Sequence, residues 1–284
     1  MQIKNSGVYL PIRAFGDFIS TAAIVKAYAL ERIPAILPEY LKDFFNAVDG
    51  SKYFDIVDNI SYKDQPAYYE FYKVKDFKNL QRLGKDVTIL LSELDHKKKY
   101  LLDFHSKRLA FTFKKFVWPD PAKNIYEGKY NLFSKNFKFN NQNFEDGIHI
   151  KSKFLTVLII PDSRIHTKSI NPQLIAEIQT TFIDKKIDIA RFNKIKTVQE
   201  NEIYYSNFQE LIELIDKYDL IISAESLPYH LANFYAKPHF VIYNDTKHFD
   251  ENFMTPFMIK NNYYANFRSG STADIIKKLT SILN

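Results

Sequence analysis

Glu225 and Ser226 end a predicted turn, residues 223–226, which follows an apolar run at residues 220–222 that predicts a buried strand. Pro228 suits the first turn of the helix expected next, and His230 falls on the same helix face as Ser226. Ligands of parallel sheets collect at the carboxyl ends of the strands, where helix starts offer free N–H groups to phosphate. The cluster therefore predicts a phosphate site, and a histidine packed in the core is the structural alternative for His230.

A second polar pair, Gly16 and Asp17, stands between a strand predicted at residues 8–12 and a helix predicted at residues 18–30. Glycine permits a tight turn at this place. Asp17 would then stand at the carboxyl edge of the sheet, where ligands of parallel sheets bind. The structural alternative is that Asp17 only stabilises the start of the helix.

A third cluster, formed by Ser163, Arg164 and Lys168, follows a strand predicted at residues 155–160. Cations at the end of a parallel strand favour an anionic ligand. A solvated basic loop is the structural alternative.

All three segments resemble motifs of glycosyltransferase family 9, the bacterial lipopolysaccharide heptosyltransferases. The residues that agree with the family motifs are Gly16, Asp17, Ile19, Thr21, Lys168, Asp219, Ile221, Ile222, Ser226, His230, Leu231, Ala232, Pro238, Tyr243 and Thr246. The sequence departs from the motifs at Ala23 (a family proline), at Glu225 (a family aspartate), at Leu227 and Asn244 (family glycines), and from Ser169 onward, where the family tryptophan is missing.

The resemblance implies an α/β fold class with two Rossmann-like domains facing a cleft (GT-B type). Residues 1–150 would bind the acceptor, and residues 151–284 would bind the nucleotide-sugar. The implied activity is inverting transfer of a heptose or similar sugar from a nucleotide-diphosphate donor to a bacterial surface glycan such as the lipopolysaccharide core. Asp17 would be the general base, and neither a metal nor a further cofactor would be needed. The donor would be bound by Ser163, Arg164, Lys168, Glu225, Ser226 and His230, and the acceptor by Arg13 and Gly16.

The composition of the 284-residue chain, 46% hydrophobic and 25% charged, is that of an ordinary globular protein. Cysteine is absent, which excludes disulfides and thiolate metal sites. The net charge of +6 favours anionic partners such as nucleotide-sugars, and no nucleic-acid partner is expected. A basic helix predicted around residues 95–115 is a candidate for peripheral contact with an anionic membrane, with a solvated helix face as the alternative. The expected location is the cytoplasm or the inner face of the cytoplasmic membrane.

Strands alternate with helices in both halves of the sequence, which predicts parallel sheets. Further strands are predicted at residues 35–37, 54–60, 86–91, 187–192 and 239–243, and further helices at 38–48, 92–113, 171–182, 208–218, 229–236 and 272–283. Residues 117–150 show no period and predict an irregular connection between the domains.

Because one fold hosts many activities, the alternative function is a catalytically inactive nucleotide- or sugar-binding protein of the same fold. The departures at Ser169, Leu227 and Asn244 support this alternative. A periplasmic-type binding protein is disfavoured, since residues 1–12 do not resemble a signal peptide.

Overall fold

The structure is a computed structural model that describes residues 7–11, 14–60, 87–91, 115–120, 122–141, 147–151, 153–192, 202–244, 252–267 and 270–284. The chain divides into two compact units, Met1–Asn143 and Phe144–Asn284. Each unit contains its own parallel sheet with helices, so the prediction of two α/β domains is confirmed. The division falls slightly before residue 150, where the sequence places it.

The described part of the N-terminal unit has five strands and three α-helices. The strands are β1 (Gly7–Leu10), β2 (Ile33–Pro38), β3 (Phe54–Ile60), β4 (Thr88–Leu91) and β5 (Lys115–Val117). The helices are α1 (Phe15–Tyr28), α2 (Lys42–Ala47) and α3 (Ile125–Ser134), with short 3-10 turns at Glu39–Leu41 and Gly50–Lys52. All neighbouring strands are parallel, in the order β3-β2-β1-β4-β5. The strand order therefore reverses between β1 and β4, and α1 begins just after β1.

Helix α3 lies where the sequence predicts an irregular connection, so the prediction for residues 117–150 is wrong. Ile125, Tyr126, Lys129 and Phe133 are the residues of this helix that pack inward, and all four are buried. The lysine interrupts the apolar pattern of the buried face, which explains why the sequence alone does not indicate an amphipathic helix. Asn124 begins the helix by accepting a 2.9 Å hydrogen bond from the Tyr126 N–H.

The described part of the C-terminal unit has six strands and five α-helices. The strands are β6 (Thr156–Ile160), β7 (Lys186–Phe192), β8 (Glu202–Tyr205), β9 (Leu220–Ala224), β10 (His239–Tyr243) and β11 (Tyr264–Asn266). The helices are α4 (Pro172–Thr181), α5 (Phe208–Lys217), α6 (Leu227–Phe234), α7 (Pro256–Asn261) and α8 (Thr272–Leu283), with a 3-10 turn at His166–Lys168. All neighbouring strands are parallel, in the order β11-β10-β9-β6-β7-β8. The sequence does not predict β8, α7 or β11.

The central strands of the C-terminal sheet are covered on both faces. Ile222 and Phe240 belong to a buried cluster that includes residues of α4 and α8. Val241 points to the opposite face and packs with Tyr229 of α6 and Met258 of α7. Because both faces are covered, all five residues of β9 are buried, as its continuous apolar run indicates.

Most of the basic stretch at residues 95–115 lies outside the described residues, as does the helix predicted at 92–113; Lys115 begins β5. Among the described helices, none combines the length and the apolar character needed to cross a membrane.

Candidate functional site

The strand order of the C-terminal sheet reverses between β6 and β9, and two of the predicted polar clusters follow these two strands. The loop at residues 161–170 leaves the carboxyl end of β6, and Glu225 and Ser226 leave the carboxyl end of β9. At such a reversal, the connections on either side run to opposite faces of the sheet and open a crevice. The clusters that the sequence separates by about sixty residues thus meet at the place where parallel sheets bind ligands.

Lys168 and Glu225 form an ion pair at this crevice. The Lys168 ammonium lies 2.5 Å from Oε2 of Glu225, and their side chains are only 17% and 14% exposed. A diphosphate that approached the Lys168 ammonium would therefore compete with the Glu225 carboxylate.

No side chain caps the start of helix α6. Ser226 precedes the helix, but its side chain does not cap it; its hydroxyl donates a 3.4 Å hydrogen bond to the Asp162 carbonyl instead. Ser223, near the end of β9, is fully buried, and its hydroxyl has no hydrogen-bond partner among the described residues. The first N–H groups of a helix lack intrahelical partners, so this edge of the sheet offers donors and a positive dipole end.

Ser163 and Arg164 lie in the same loop as Lys168. The Ser163 N–H donates to the Ser169 hydroxyl at 3.0 Å, and the Ser163 hydroxyl accepts from the Ile165 N–H at 3.4 Å. These contacts shape the loop, whereas Arg164 is exposed. Donor binding by Ser163 and Arg164 stays a prediction.

His230 is buried, and its ring lies 3.9 Å from the ring of Tyr229, measured between centroids. The Tyr229 hydroxyl donates to the Phe253 carbonyl at 3.2 Å, which ties α6 to the segment before α7. The ring contact indicates that His230 packs within the unit. Its part in donor binding stays a prediction.

A cavity of about 230 Å³ lies farther along the C-terminal sheet, beside β10, β11 and α8. Its lining includes Tyr243, Tyr264, Asn266 and Lys278, and it includes none of the six predicted donor residues. The predicted phosphate cluster is therefore distinct from this cavity. Within the described ranges, no three His, Asp or Glu side chains lie close enough together to hold a metal ion.

In the N-terminal unit, Asp17 is the third residue of α1, and Gly16 is the second. The residue that precedes the helix is Ala14, which has no capping side chain, so Asp17 does not occupy the capping position. Asp17 is half-buried. Burial raises the pKa of Tyr40, and the charges of Tyr9 and Asp17 contribute to the same shift. Arg13, the other predicted acceptor residue, lies outside the described residues.

A buried polar network that the sequence does not reveal lies beneath the first turn of α1. The Asp17 carbonyl accepts hydrogen bonds from the Lys129 ammonium at 2.9 Å and from the hydroxyls of Ser20 and Thr21 at 3.1 and 3.0 Å. The ammonium also contacts the Ser20 hydroxyl at 2.5 Å, and the Tyr9 hydroxyl donates to Thr21 at 3.1 Å. All of these donors are buried. The network fixes the backbone that carries the Asp17 carboxylate.

A second missed network fixes the beginning of the loop after β6. The Arg191 guanidinium contacts Asp162 Oδ1 at 2.6 Å and Glu202 Oε1 at 2.6 Å, and Tyr204 donates to Glu202 at 2.7 Å. Glu202 and Tyr204 lie on β8, a strand that the sequence does not predict. The contacts link Asp162, just past the end of β6, to two further strands.

This chain is similar to known proteins in structure, but no similarity to them is detected in its sequence. No protein-family model matches the chain, and no curated protein matches its sequence. The E. coli heptosyltransferase WaaC, solved with ADP-2-deoxy-2-fluoro heptose, superposes with a TM-score of 0.60 at 11% identity, over 97% of this chain and 99% of its own. A glycosyl transferase of family 9 from Veillonella parvula gives a TM-score of 0.57 at 13% identity, over 100% and 92%. E. coli ADP-heptose lps heptosyltransferase II gives 0.54 at 12%, over 98% of both chains.

These similarities extend over nearly the whole chain, so they involve both units. At identities of 11–13% they concern the fold. The α/β architecture that the resemblance to glycosyltransferase family 9 implies is therefore confirmed, and this chain has the fold of the heptosyltransferases of the GT-B type.

Proposed function

We propose that this protein is a glycosyltransferase that transfers a sugar from a nucleoside-diphosphate donor to an acceptor of a bacterial surface glycan. The observation that carries the proposal is the Lys168–Glu225 pair beside the open start of α6, at the reversal point of the C-terminal sheet. A cation next to free helix N–H groups is suited to a diphosphate. The fold shared with heptosyltransferases supports the same class of donor.

In the proposed reaction, an acceptor hydroxyl oxygen attacks the anomeric carbon of the donor sugar while the bond to the diphosphate oxygen breaks. The departing nucleoside diphosphate takes the bonding electron pair, and Lys168 and the α6 N–H groups stabilise the charge that develops on it. Asp17 takes the proton of the attacking hydroxyl. A single displacement of this kind inverts the anomeric centre.

The N-terminal unit would bind the acceptor and the C-terminal unit the donor. Glu225 would accept hydrogen bonds from donor hydroxyls once the diphosphate has drawn Lys168 away from it. The proposed reaction needs no bound metal, because Lys168 and the helix N–H groups supply the positive charge. Transfer that survives an excess of EDTA would agree with this part of the proposal.

Titration calorimetry with ADP, GDP, CDP and UDP tests the donor assignment. We expect at least one of them to bind, and we expect Lys168→Ala to weaken that binding about 10- to 100-fold, the range for a lost charge-assisted contact. Lys186→Ala is the matched control, because this exposed lysine pairs with Asp188 at the opposite, amino end of the sheet. An unchanged affinity of Lys168→Ala would remove the assignment.

Turnover of radiolabelled nucleotide-sugars separates the proposed enzyme from a binding protein without catalysis. Both would bind a nucleoside diphosphate, and only the enzyme releases it from a nucleotide-sugar in the presence of an acceptor glycan. The departures from the family motif at Glu225 and Leu227 lie in this site. Turnover would show that they are compatible with catalysis, and binding without turnover would agree with their having abolished it.

A further inference from the structure

We propose that Asn244 is a positioning residue that fixes Lys168 in the diphosphate site. The inference rests on the proposed function, since it assigns a role to a residue that holds the proposed phosphate ligand. Asn244 follows β10, two strands away from the β6 strand whose loop carries Lys168. It is not among the residues that the sequence predicts for the site.

The Asn244 side chain is hydrogen-bonded to the backbone on both sides of Lys168. Its Nδ2 donates to the Thr167 carbonyl at 3.2 Å and to the Ser169 carbonyl at 3.1 Å. A primary amide carries two N–H groups, so both hydrogen bonds can form together. The two carbonyls that are held belong to the residues immediately before and after Lys168, which leaves the lysine backbone little freedom.

Backbone hydrogen bonds shape the loop, and the Asn244 amide ties it to the end of β10. The Ile170 N–H donates to the Pro161 carbonyl at 2.9 Å and closes the base of the loop. The Lys168 N–H donates to the Ile165 carbonyl at 2.9 Å and forms the turn. Ile165 itself is 49% exposed, and the buried apolar anchor of the loop is Ile170 at its end.

The loop therefore crosses the carboxyl end of β9, where Lys168 meets Glu225, and is fastened to the end of β10 by Asn244. A lysine side chain is flexible and loses much rotamer freedom when its ammonium is held at a ligand. Fixing its backbone beforehand lowers that entropic cost, which is the general benefit of preorganisation in binding.

The test is a double-mutant cycle of Asn244→Ala and Lys168→Ala, with the most tightly bound of ADP, GDP, CDP and UDP as the probe in calorimetry. Asn244→Ala should weaken binding about 3- to 20-fold, which is less than the full contribution of two neutral hydrogen bonds because water can replace them at this surface. In the Lys168→Ala background the same substitution should change affinity less than about twofold, because the group it positions is gone. Asn244→Ser retains a single donor and should fall between Asn244→Ala and the unmodified protein.

Asn261→Ala is the matched control. Its side chain also donates to a backbone carbonyl, that of Phe257 at 2.9 Å, and it is equally half-buried, but it lies in α7. This variant should bind the probe as the unmodified protein does. The melting temperatures of all variants should agree within a few degrees, which excludes global unfolding as the cause.

Two outcomes overturn the inference while the proposed function stands: Asn244→Ala binds like the unmodified protein, or it weakens binding equally with and without Lys168. If Lys168→Ala binds as tightly as the unmodified protein, the donor assignment itself fails and the positioning role fails with it. The Lys168→Ala variant alone thus tests the proposed function, and the two Asn244→Ala variants test the positioning role.

Discussion

The two units carry their candidate residues at equivalent points of their sheets but hold them by different means. Asp17 follows β1 and Lys168 follows β6, and in each unit the strand order reverses beside that strand. The Asp17 backbone is held from below by Lys129, whose side chain is fully buried. The Lys168 backbone is held at its flanks by the amide of Asn244, in a loop whose residues 164–167 are exposed.

This difference predicts different effects of substitutions in the two units, on stability in one and on ligand affinity in the other. A contact made inside the core contributes to the stability of the unit, because breaking it leaves buried polar groups without partners. A contact made on an exposed loop can be replaced by water, so its loss changes local order and ligand affinity more than global stability. Substitutions beneath Asp17 should therefore lower stability, and substitutions beside Lys168 should lower affinity.

The largest expected effect is that of Asp17→Asn on the transfer rate. Asparagine keeps the size of the side chain but loses the basicity, so we expect the rate to fall about 10²- to 10⁴-fold. Nucleoside-diphosphate affinity and melting temperature should stay near those of the unmodified protein. Initial rates with a radiolabelled nucleotide-sugar, together with calorimetry, measure both quantities.

Asp43→Asn is the control for Asp17→Asn. Asp43 is also an acid in the first turn of a helix, α2, and it is exposed. Removal of its charge loses the same favourable interaction with a helix dipole, worth about 0.3–1 kcal/mol, without touching the site. If Asp17→Asn transfers sugar as fast as Asp43→Asn, Asp17 serves only the helix and the base lies elsewhere.

The next effect concerns Lys129, whose substitution sharpens the comparison between the units. Lys129→Ala removes a fully buried side chain and the ammonium that contacts Asp17 and Ser20. We expect the free energy of unfolding to fall by about 2–4 kcal/mol, the range for a large buried side chain cut back to alanine. Urea denaturation measures this value.

Lys135→Ala, at the exposed end of the same helix, should stay within about 0.5 kcal/mol of the unmodified protein. Asn244→Ala should likewise change stability little while it weakens ligand binding. Equal stability losses at Lys129 and Asn244 would contradict the division between a core-held and a loop-held residue.

The sequence predicts the elements whose side chains follow a simple apolar pattern. Strand β10 and helix α8 have the predicted bounds, and β9 is recognised by its continuous apolar run. The elements that are missed lack such a pattern. All four residues of the edge strand β8 are half-buried, and β11 has only three residues. Helix α3 is missed because a lysine occupies its buried face.

The site is predicted as far as strand ends and motifs determine it. The predicted strand ends place both Lys168 and Glu225 at the carboxyl edge of one sheet, and the structure has them there. The contacts of Lys129 and Asn244 join residues 112 and 75 positions apart, and no local spacing indicates such pairs. From the sequence alone, a lysine is expected at the surface and an asparagine in a turn. Only the fold shows that Lys129 and Asn244 each have a distant partner.

The smallest effect we predict contrasts the two ends of strands β6 and β9. Asp219, just before β9, ion-pairs with Lys151 and accepts hydrogen bonds from the N–H groups of Leu155 and Thr156, both at 3.1 Å. Burial alone would raise the pKa of Asp219, but these partners outweigh it and lower the pKa to about 2. The unfolded chain has the ordinary, higher value, so Asp219 stabilises the fold fully above about pH 4 and progressively less as the pH falls towards 2.

Asp219→Asn should therefore lower the free energy of unfolding by about 1–2 kcal/mol at pH 7, and the difference from the unmodified protein should shrink as the pH falls from 4 to 2. Urea titrations across this pH range measure it.

Asp216→Asn is the control: its ion pair with Lys237, at 3.0 Å, involves a carboxylate that is 75% exposed, and its loss should cost at most about 0.5 kcal/mol. Because Asp219 clamps the amino ends of the strands, nucleoside-diphosphate affinity should not change. An Asp219→Asn protein that keeps its stability but loses affinity would show that the two ends of these strands are coupled, and would break the separation between stability and binding on which the comparison of the units rests.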